Sequence, residues 1–295
     1  MDITIAPGRY VVAVSGGVDS MVLLDILRQN PDLELLVAHF DHGIRTDSSK
    51  DRQLVQKKAN EHGLKFVYDE GNLGLDASEA KARDARYDFL YKVRSASRSS
   101  RIVTAHHQDD LIETVIINII RGTGHRGLSS MRSNGMIYRP LIEFNKEELV
   151  SYAYKNNIKW SEDPTNQDTK YLRNYIRHNI IPNLSSDDKK RLLENINNAQ
   201  KLRSEIEEHL TSLLHRQTSL NMINRHWFIM LPYNVANEVM AEWLKRNSIK
   251  NVNRKLVENL VNIARVSQPN RVADIDKQSI LEVKRDYIKI TPRYR

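Results

Sequence analysis

The feature that most restricts the fold is an alternation in the first 120 residues. Short apolar runs of strand length (Tyr10–Val14, Leu33–His39, Leu64–Tyr68, Arg101–Ala105) take turns with longer stretches of helical spacing (Val18–Arg28, Lys50–His62, Ser78–Arg94, Asp109–Arg121). In the last of these, Ile112, Val115, Ile116, Ile119 and Ile120 fall on one side of a helix. A strand–helix repeat of this kind predicts a parallel sheet with helices on both faces. The loops that follow its strands share one edge, where such sheets bind ligands.

The rest of the chain breaks this rhythm. A loop-like stretch, Gly122–Met136, leads to Arg139-Pro140-Leu141, a helix near Lys146–Asn157 and the polar turn Glu162–Lys170. Pro182 and Ser185-Ser186-Asp187-Asp188 mark a break before a long helix, Asp188–His215. Val235–Arg246 and Asn253–Arg265 read as helices, and Arg271–Thr291 alternates like two or three short strands. The expectation is a doubly wound, mostly parallel α/β domain over residues 1–185. A smaller, mainly helical domain with a short β tail follows over 186–295.

Charge divides in the same place. Residues 1–185 hold 25 basic and 24 acidic side chains, residues 186–295 hold 20 and 13, and the whole chain carries +8. A basic module beside a near-neutral one points to a polyanionic partner such as a nucleic acid. The chain contains no cysteine, so it offers no disulfide, thiolate metal site, cysteine-bound iron–sulfur cluster or cysteine nucleophile. The start, MDITIAPGRY, lacks the blocks of a signal peptide, and no apolar run approaches a membrane span of about 20 residues. A soluble, cytoplasmic protein with no membrane partner is expected.

Ser15-Gly16-Gly17-Val18-Asp19-Ser20 lies between the first predicted strand and helix. Two glycines there let successive backbone N–H groups converge, and the helix N-terminus adds its positive end, so a phosphate chain is favoured. Ser15 and Ser20 add hydroxyls, and Asp19 is placed to hold Mg²⁺. A Walker A loop is excluded because the chain has no Gly-Lys pair. Gly122-Thr123-Gly124-His125-Arg126-Gly127 has the letters of a dinucleotide fingerprint, but it follows a helix rather than a strand and is set aside. His106-His107-Gln108-Asp109-Asp110-Leu111-Ile112-Glu113 begins where the fourth strand ends, on the edge shared with the glycine loop. Asp110 and Glu113, three apart, share a helix face. Asp109 reads as a helix-start acid, whereas His106, Asp110 and Glu113 together exceed what capping needs. His39, His42 and Arg45 end the second strand on the nucleotide side, and Arg83 and Arg86 sit one turn apart on a helix.

The hexapeptide is similar to the PP-loop of the ATP-pyrophosphatase group. With His39-Phe-Asp-His42-Gly-Ile-Arg45, Glu79–Tyr87, His106–Thr114, Arg121–Gly124 with Gly127-Leu128, Arg139-Pro140-Leu141, Asp163–Asn166 and Arg173–Arg177, it forms an ordered series over about residues 8–184 that resembles the tRNA(Ile)-lysidine synthases. The back domain matches only in length and basic character, as in short members of the family. The resemblance implies a ligase that uses ATP to adenylate the C2 carbonyl oxygen of cytidine 34 in a CAU-anticodon isoleucine tRNA. L-lysine then displaces AMP to form lysidine. Ser15, Gly16, Gly17, Val18, Asp19 and Ser20, with His39 and Arg45, would bind ATP, and Asp19 would orient Mg²⁺. Asp110, Glu113, Arg86 and His106 would serve the reacting groups, with Arg83 beside them, and Arg126, Arg173 and Arg177 would touch the tRNA. The resemblance allows a monomer or a homodimer. The alternative is another PP-loop adenylating enzyme, acting on a different tRNA base or on a small molecule. The absence of cysteine separates either reading from sulfur-transferring relatives.

Overall fold

The computed structural model describes residues 1–43, 48–71, 74, 79–123, 127–161, 172–216, 219–250 and 252–293. They divide into two compact units, Met1–Gln200 and Lys201–Arg295. The boundary falls inside a long helix.

In the first unit the elements run β1 (Gly8–Ala13), α1 (Val18–Leu27), β2 (Leu33–Asp41), α2 (Ser48–Glu61), β3 (Lys65–Glu70), α3 (Glu79–Ala96), β4 (Arg101–Val103), α4 (Gln108–Ile120), β5 (Ile137–Tyr138) and α5 (Lys146–Lys155). The described strands form one all-parallel sheet in the order β3-β2-β1-β4-β5. The doubly wound expectation holds. β1 shows why it is central: Tyr10, Val11 and Val12 are all buried, and successive side chains enter opposite layers. Val12 packs with Leu23, Leu24 and Leu27 of α1 and Leu149 and Ala153 of α5. Val11 packs on the other face with Ala38, Ile102, Phe89 and Leu90. Burying each such side chain contributes about 1.5–3 kcal/mol, so both faces of β1 resist any slip in register.

Strand order reverses at β1. The chain moves outward through β2 and β3, then returns to place β4 on β1's other side. The loops after β1 and β4 therefore flank the crevice where doubly wound sheets take ligands. After α5 the described chain resumes with α6 (Leu172–Tyr175), a wider π turn (Ile176–Ile180) and a 3-10 turn (Ile181–Asn183) around Pro182. Ile176 and Ile181 pack on Ile112 and Ile117 of α4, which fixes this segment against the helix that follows β4.

The long helix α7 (Ser186–His215) begins with Ile196 packed against Leu111 and Val115. In the second unit its later residues Leu210 and Leu214 join the core of α8 (Arg225–Met230), α9 (Tyr233–Arg246) and α10 (Arg254–Val266). Phe228, Trp243 and Leu260 fill that core. The strands β6 (Met222–Asn224), β7 (Arg271–Asp274), β8 (Ser279–Val283) and β9 (Tyr287–Pro292) form an antiparallel sheet ordered β6-β9-β8-β7. Three of these are the expected tail; β6 joins them from much earlier in the chain. The buried Arg225 has a structural task, donating to the carbonyls of Ala264 and Lys284 at 3.0 and 3.1 Å and also to that of Ser267. No helix among the described residues is long and apolar enough to cross a membrane.

Candidate active site

The glycine loop closes on itself through one hydroxyl. Ser20 Oγ donates to the Gly17 carbonyl at 2.9 Å and accepts from the N–H groups of Ser15 and Gly16, both at 3.2 Å. Ser20 is buried, so this bracket is rigid. Gly16 has φ +100°, a conformation that L side chains rarely adopt, and its carbonyl accepts from Ser161 N–H at 2.9 Å. Gly17 caps α1 without a side-chain bond, leaving the positive end of the helix facing the crevice. Val18, by contrast, sends its side chain into the core. His39 is also turned inward: its buried Nδ1 pairs with the Val14 carbonyl at 2.9 Å, bracing the strand end just before the loop. Burial holds its pKa below the usual value, so the ring is neutral at pH 7.

Asp19 stands one helical position beyond Val18 and meets a residue that reading the sequence missed. Lys146 Nζ donates to both Asp19 oxygens, at 2.7 and 2.9 Å. The His107 imidazole lies between two carboxylates, with Nε2 3.7 Å from Asp19 Oδ2 and 3.5 Å from Asp110 Oδ2. Asp110 Oδ2 also accepts from the His107 backbone N–H at 3.1 Å. The loops after β1 and β4 are thereby brought together through Asp19, His107 and Asp110, as their shared edge required.

The second half of the site is a buried ionic cluster. Glu113 is 0% exposed and receives Arg177 Nε at 2.6 Å, Arg177 Nη2 at 3.1 Å and Arg173 Nη1 at 3.3 Å. Arg177 Nη2 reaches Asp110 Oδ1 at 3.3 Å. Arg173 and Arg177, assigned to tRNA contacts by the resemblance, thus face Glu113 in this structure. Their four-residue spacing places them on one side of the segment, and Arg177 sits in the π turn, whose extra residue re-aims side chains. Burial pushes the Glu113 carboxyl above its ordinary range, outweighing the arginines. For Arg177 burial acts the other way, but the bond to Glu113 outweighs it and the pKa rises. The two directions agree once exposure is considered: the Arg177 side chain keeps 33% of its surface in water, whereas Glu113 keeps none, so desolvation falls more heavily on the acid. For Asp110 burial alone would raise the pKa, yet His107, His106, the His107 N–H and Arg177 outweigh it and hold the carboxyl below its usual range.

Near Asp110 stand His106 and three arginines, Arg83, Arg86 and Arg139. His106 Nδ1 pairs with Thr104 Oγ1 at 2.8 Å, and burial keeps this imidazole neutral at pH 7. The guanidinium groups of Arg83 and Arg86 lie 5.1 and 5.4 Å from the Tyr87 ring centre. Burial lowers the Arg86 pKa, with partial relief from Tyr87 and, further off, Asp110, and the group stays charged at pH 7. Arg139 is buried and donates to the Arg132 carbonyl at 2.7 Å. Arg45, Arg126 and the Asp163–Asn166 segment lie outside the described residues.

Together, the α/β sheet, the lysine-free glycine loop at its switch point and the acid–arginine cluster beside it have the arrangement of the doubly wound nucleotide-binding folds. A family model described as a PP-loop domain matches residues 5–184, and the chain belongs to that family. The chain is 41% identical over 186 residues to tRNA(Ile)-lysidine synthase of Thermotoga maritima, an alignment covering 59% of this chain and 45% of that protein. It is 39% identical over 180 residues to the enzyme of that name from Exiguobacterium sibiricum, covering 59% and 43%. The chain thus spans about half the length of the curated relatives it matches. A solved U34-tRNA thiolase from Methanococcus maripaludis, described with its [4Fe-4S] cluster, shares the fold at a TM-score of 0.57 and 19% identity, over 67% of this chain and 73% of that one.

Proposed function

We propose that this protein is a tRNA(Ile)-lysidine synthase, which joins L-lysine to C2 of cytidine 34 in a CAU-anticodon isoleucine tRNA with ATP going to AMP and pyrophosphate. The observation that carries this reading is the pairing of a PP-loop with the Asp110–Glu113–Arg177 cluster on one sheet edge. The 41% identity to a lysidine synthase over 186 residues supports it, as does the lack of any cysteine for sulfur transfer.

In this reading the loop N–H groups and Ser15 take the β- and γ-phosphates of ATP. The cytosine O2 attacks the α-phosphate, pyrophosphate leaves, and the C2–O bond becomes one that an amine can break. Mg²⁺ supplies charge neutralisation on the phosphates when bound. Asp19, whose carboxylate is partly exposed beside the loop, would hold it as a hard oxygen ligand. Asp110 binds the lysine ε-ammonium. Near pH 7 the free amine is only about 1 part in 2,500, a deficit of roughly 4.6 kcal/mol. Holding the ammonium beside a carboxylate offsets part of that. As the C–N bond forms the nitrogen becomes acidic, so even a carboxylate of depressed pKa accepts its proton. Glu113 keeps Arg177 aimed at Asp110, and Arg86, with Arg83 and His106, faces the charge that develops as AMP departs. The second unit holds 17 basic against 10 acidic side chains and binds the tRNA backbone through them. Labelled L-lysine, ATP, Mg²⁺ and the tRNA transcript are incubated with the protein; label in the tRNA, dependent on ATP, is expected. No incorporation, or incorporation of a different amino acid, refutes the reading.

A further inference from the structure

We propose that Lys146 is the phosphate-binding cation of this site: it engages the pyrophosphate part of ATP, giving up bonds to Asp19 as it does so. This rests on the ATP-dependent reading above. The loop itself cannot supply the charge, because Ser15–Ser20 contain no basic residue and the chain has no Gly-Lys pair. Lys146 brings an ammonium to the loop from 127 residues away, bonded to both oxygens of Asp19.

Two features separate this lysine from an ordinary surface ion pair. It occupies the first position of α5, where the helix dipole disfavours a cation, and the acids suited to that turn, Glu147 and Glu148, follow it. Local helix physics therefore does not account for a lysine there. The backbone beneath it is also held from several sides. Lys146 N–H donates to Asp109 Oδ2 at 3.2 Å, Gln108 N–H to the Phe144 carbonyl at 2.9 Å, and Asn145 Oδ1 caps α5 by accepting from Glu148 N–H at 2.9 Å. Behind it, Leu149 and Ala153 are buried in the core with α1, and Tyr152 Oη donates to Asp25 at 3.0 Å. The base of the side chain is fixed, while the side chain as a whole keeps 41% of its surface in water and Asp19 keeps 28%. An exposed pair contributes little to stability. A fixed base carrying a partly exposed side chain, paired at its tip with a carboxylate, is instead suited to exchanging one anion for another. Transfer of the ammonium to phosphate also frees the Asp19 carboxylate for the cation that accompanies ATP, so neither charge is left alone.

The test is calorimetric titration with inorganic pyrophosphate in EDTA, and with ATP in Mg²⁺, on the full chain. Lys146→Met is expected to weaken pyrophosphate binding about 10–100-fold, as removal of a charge-assisted hydrogen bond does, and Lys146→Arg to recover most of it. Asp19→Asn, which frees the lysine, is expected to bind metal-free pyrophosphate at least as tightly as wild type, and it keeps the test open should Lys146→Met not fold. Unchanged or tighter pyrophosphate binding by folded Lys146→Met overturns the proposal, as does weakened binding by folded Asp19→Asn. If the wild-type protein binds neither pyrophosphate nor ATP, the nucleotide reading itself fails, and this proposal with it.

Discussion

Replacing Glu113 by glutamine and by alanine separates two meanings of a buried salt bridge. Glu113 is fully buried and accepts from Arg177 at 2.6 and 3.1 Å and from Arg173 at 3.3 Å. Three charge-assisted hydrogen bonds suggest a large stabilising contribution. Yet the carboxyl is held above its ordinary pKa, because burial costs the ionised form more than the arginines return. Glutamine keeps the volume and an acceptor and mimics the neutral form, so Glu113→Gln is expected to change stability by no more than about 1 kcal/mol at pH 7. Alanine removes the acceptor and leaves two guanidinium groups facing a cavity, a cost of about 3–5 kcal/mol. For a unit of this size that lowers Tm by roughly 6–20 °C. The pH dependence has a definite sign. A raised folded pKa means that Glu113 contributes most below its unfolded value of 4.5 and loses that contribution as pH rises through the folded pKa. Relative to wild type, Glu113→Gln therefore gains stability between pH 4.5 and 7. The assay is urea denaturation at both pH values. A drop of about 3 kcal/mol or more for Glu113→Gln at pH 7, shrinking toward pH 4.5, would show the carboxylate to be net stabilising and refute the reasoning. Function is expected to respond differently: with Arg177 losing one of its two bonds to residue 113 in the glutamine variant and both in the alanine variant, lysine transfer falls about 10–100-fold, more for alanine, while ATP binding is retained.

Three further outcomes follow from the same geometry. Asp110→Asn is expected to bind ATP normally but form no lysidine; near-normal turnover by that variant removes Asp110 from the proton-accepting role. Gly16→Ala places a β-carbon on a residue at φ +100°, although the nearest atom, Asp51 Cβ, would lie at an ordinary 3.4 Å. Backbone strain of about 1–3 kcal/mol, not a clash, should lower stability and ATP affinity together, and intact affinity in a thermal-shift titration would contradict it. Binding of the tRNA should weaken steeply and linearly on a log–log salt plot. Lys250→Glu with Lys255→Glu, both exposed, should flatten the slope by about one for each phosphate that is no longer neutralised; an unchanged slope assigns phosphate binding to other side chains.

The parallel sheet is legible in the sequence because its information is local. Each strand and helix of the first 120 residues carries its own periodicity, and the loop Ser15–Ser20 holds its chemistry in contiguous residues. β5, only two residues long, and β6, three, offer too few positions for a period to show. What the residues alone do not reveal is pairing across distance. Glu113 meets Arg177 from 64 residues away and Asp19 meets Lys146 from 127. Lys146 in particular hides in an ordinary helix start, Asn145-Lys146-Glu147-Glu148, and nothing in that string points to Asp19. The partners of the histidines are hidden for a related reason. By position His39 reads as a nucleotide-side group and His106 as a reacting one, while the structure gives His39 to a backbone carbonyl and sets His107 between Asp19 and Asp110.

Nucleoside mass spectrometry of a CAU-anticodon isoleucine tRNA, after reaction with this protein, ATP, Mg²⁺ and L-lysine, tests the account most directly. Conversion of cytidine 34 to lysidine is predicted, with one AMP and one pyrophosphate released for each residue modified. AMP release with cytidine 34 unchanged, or modification at any other nucleotide, would contradict it.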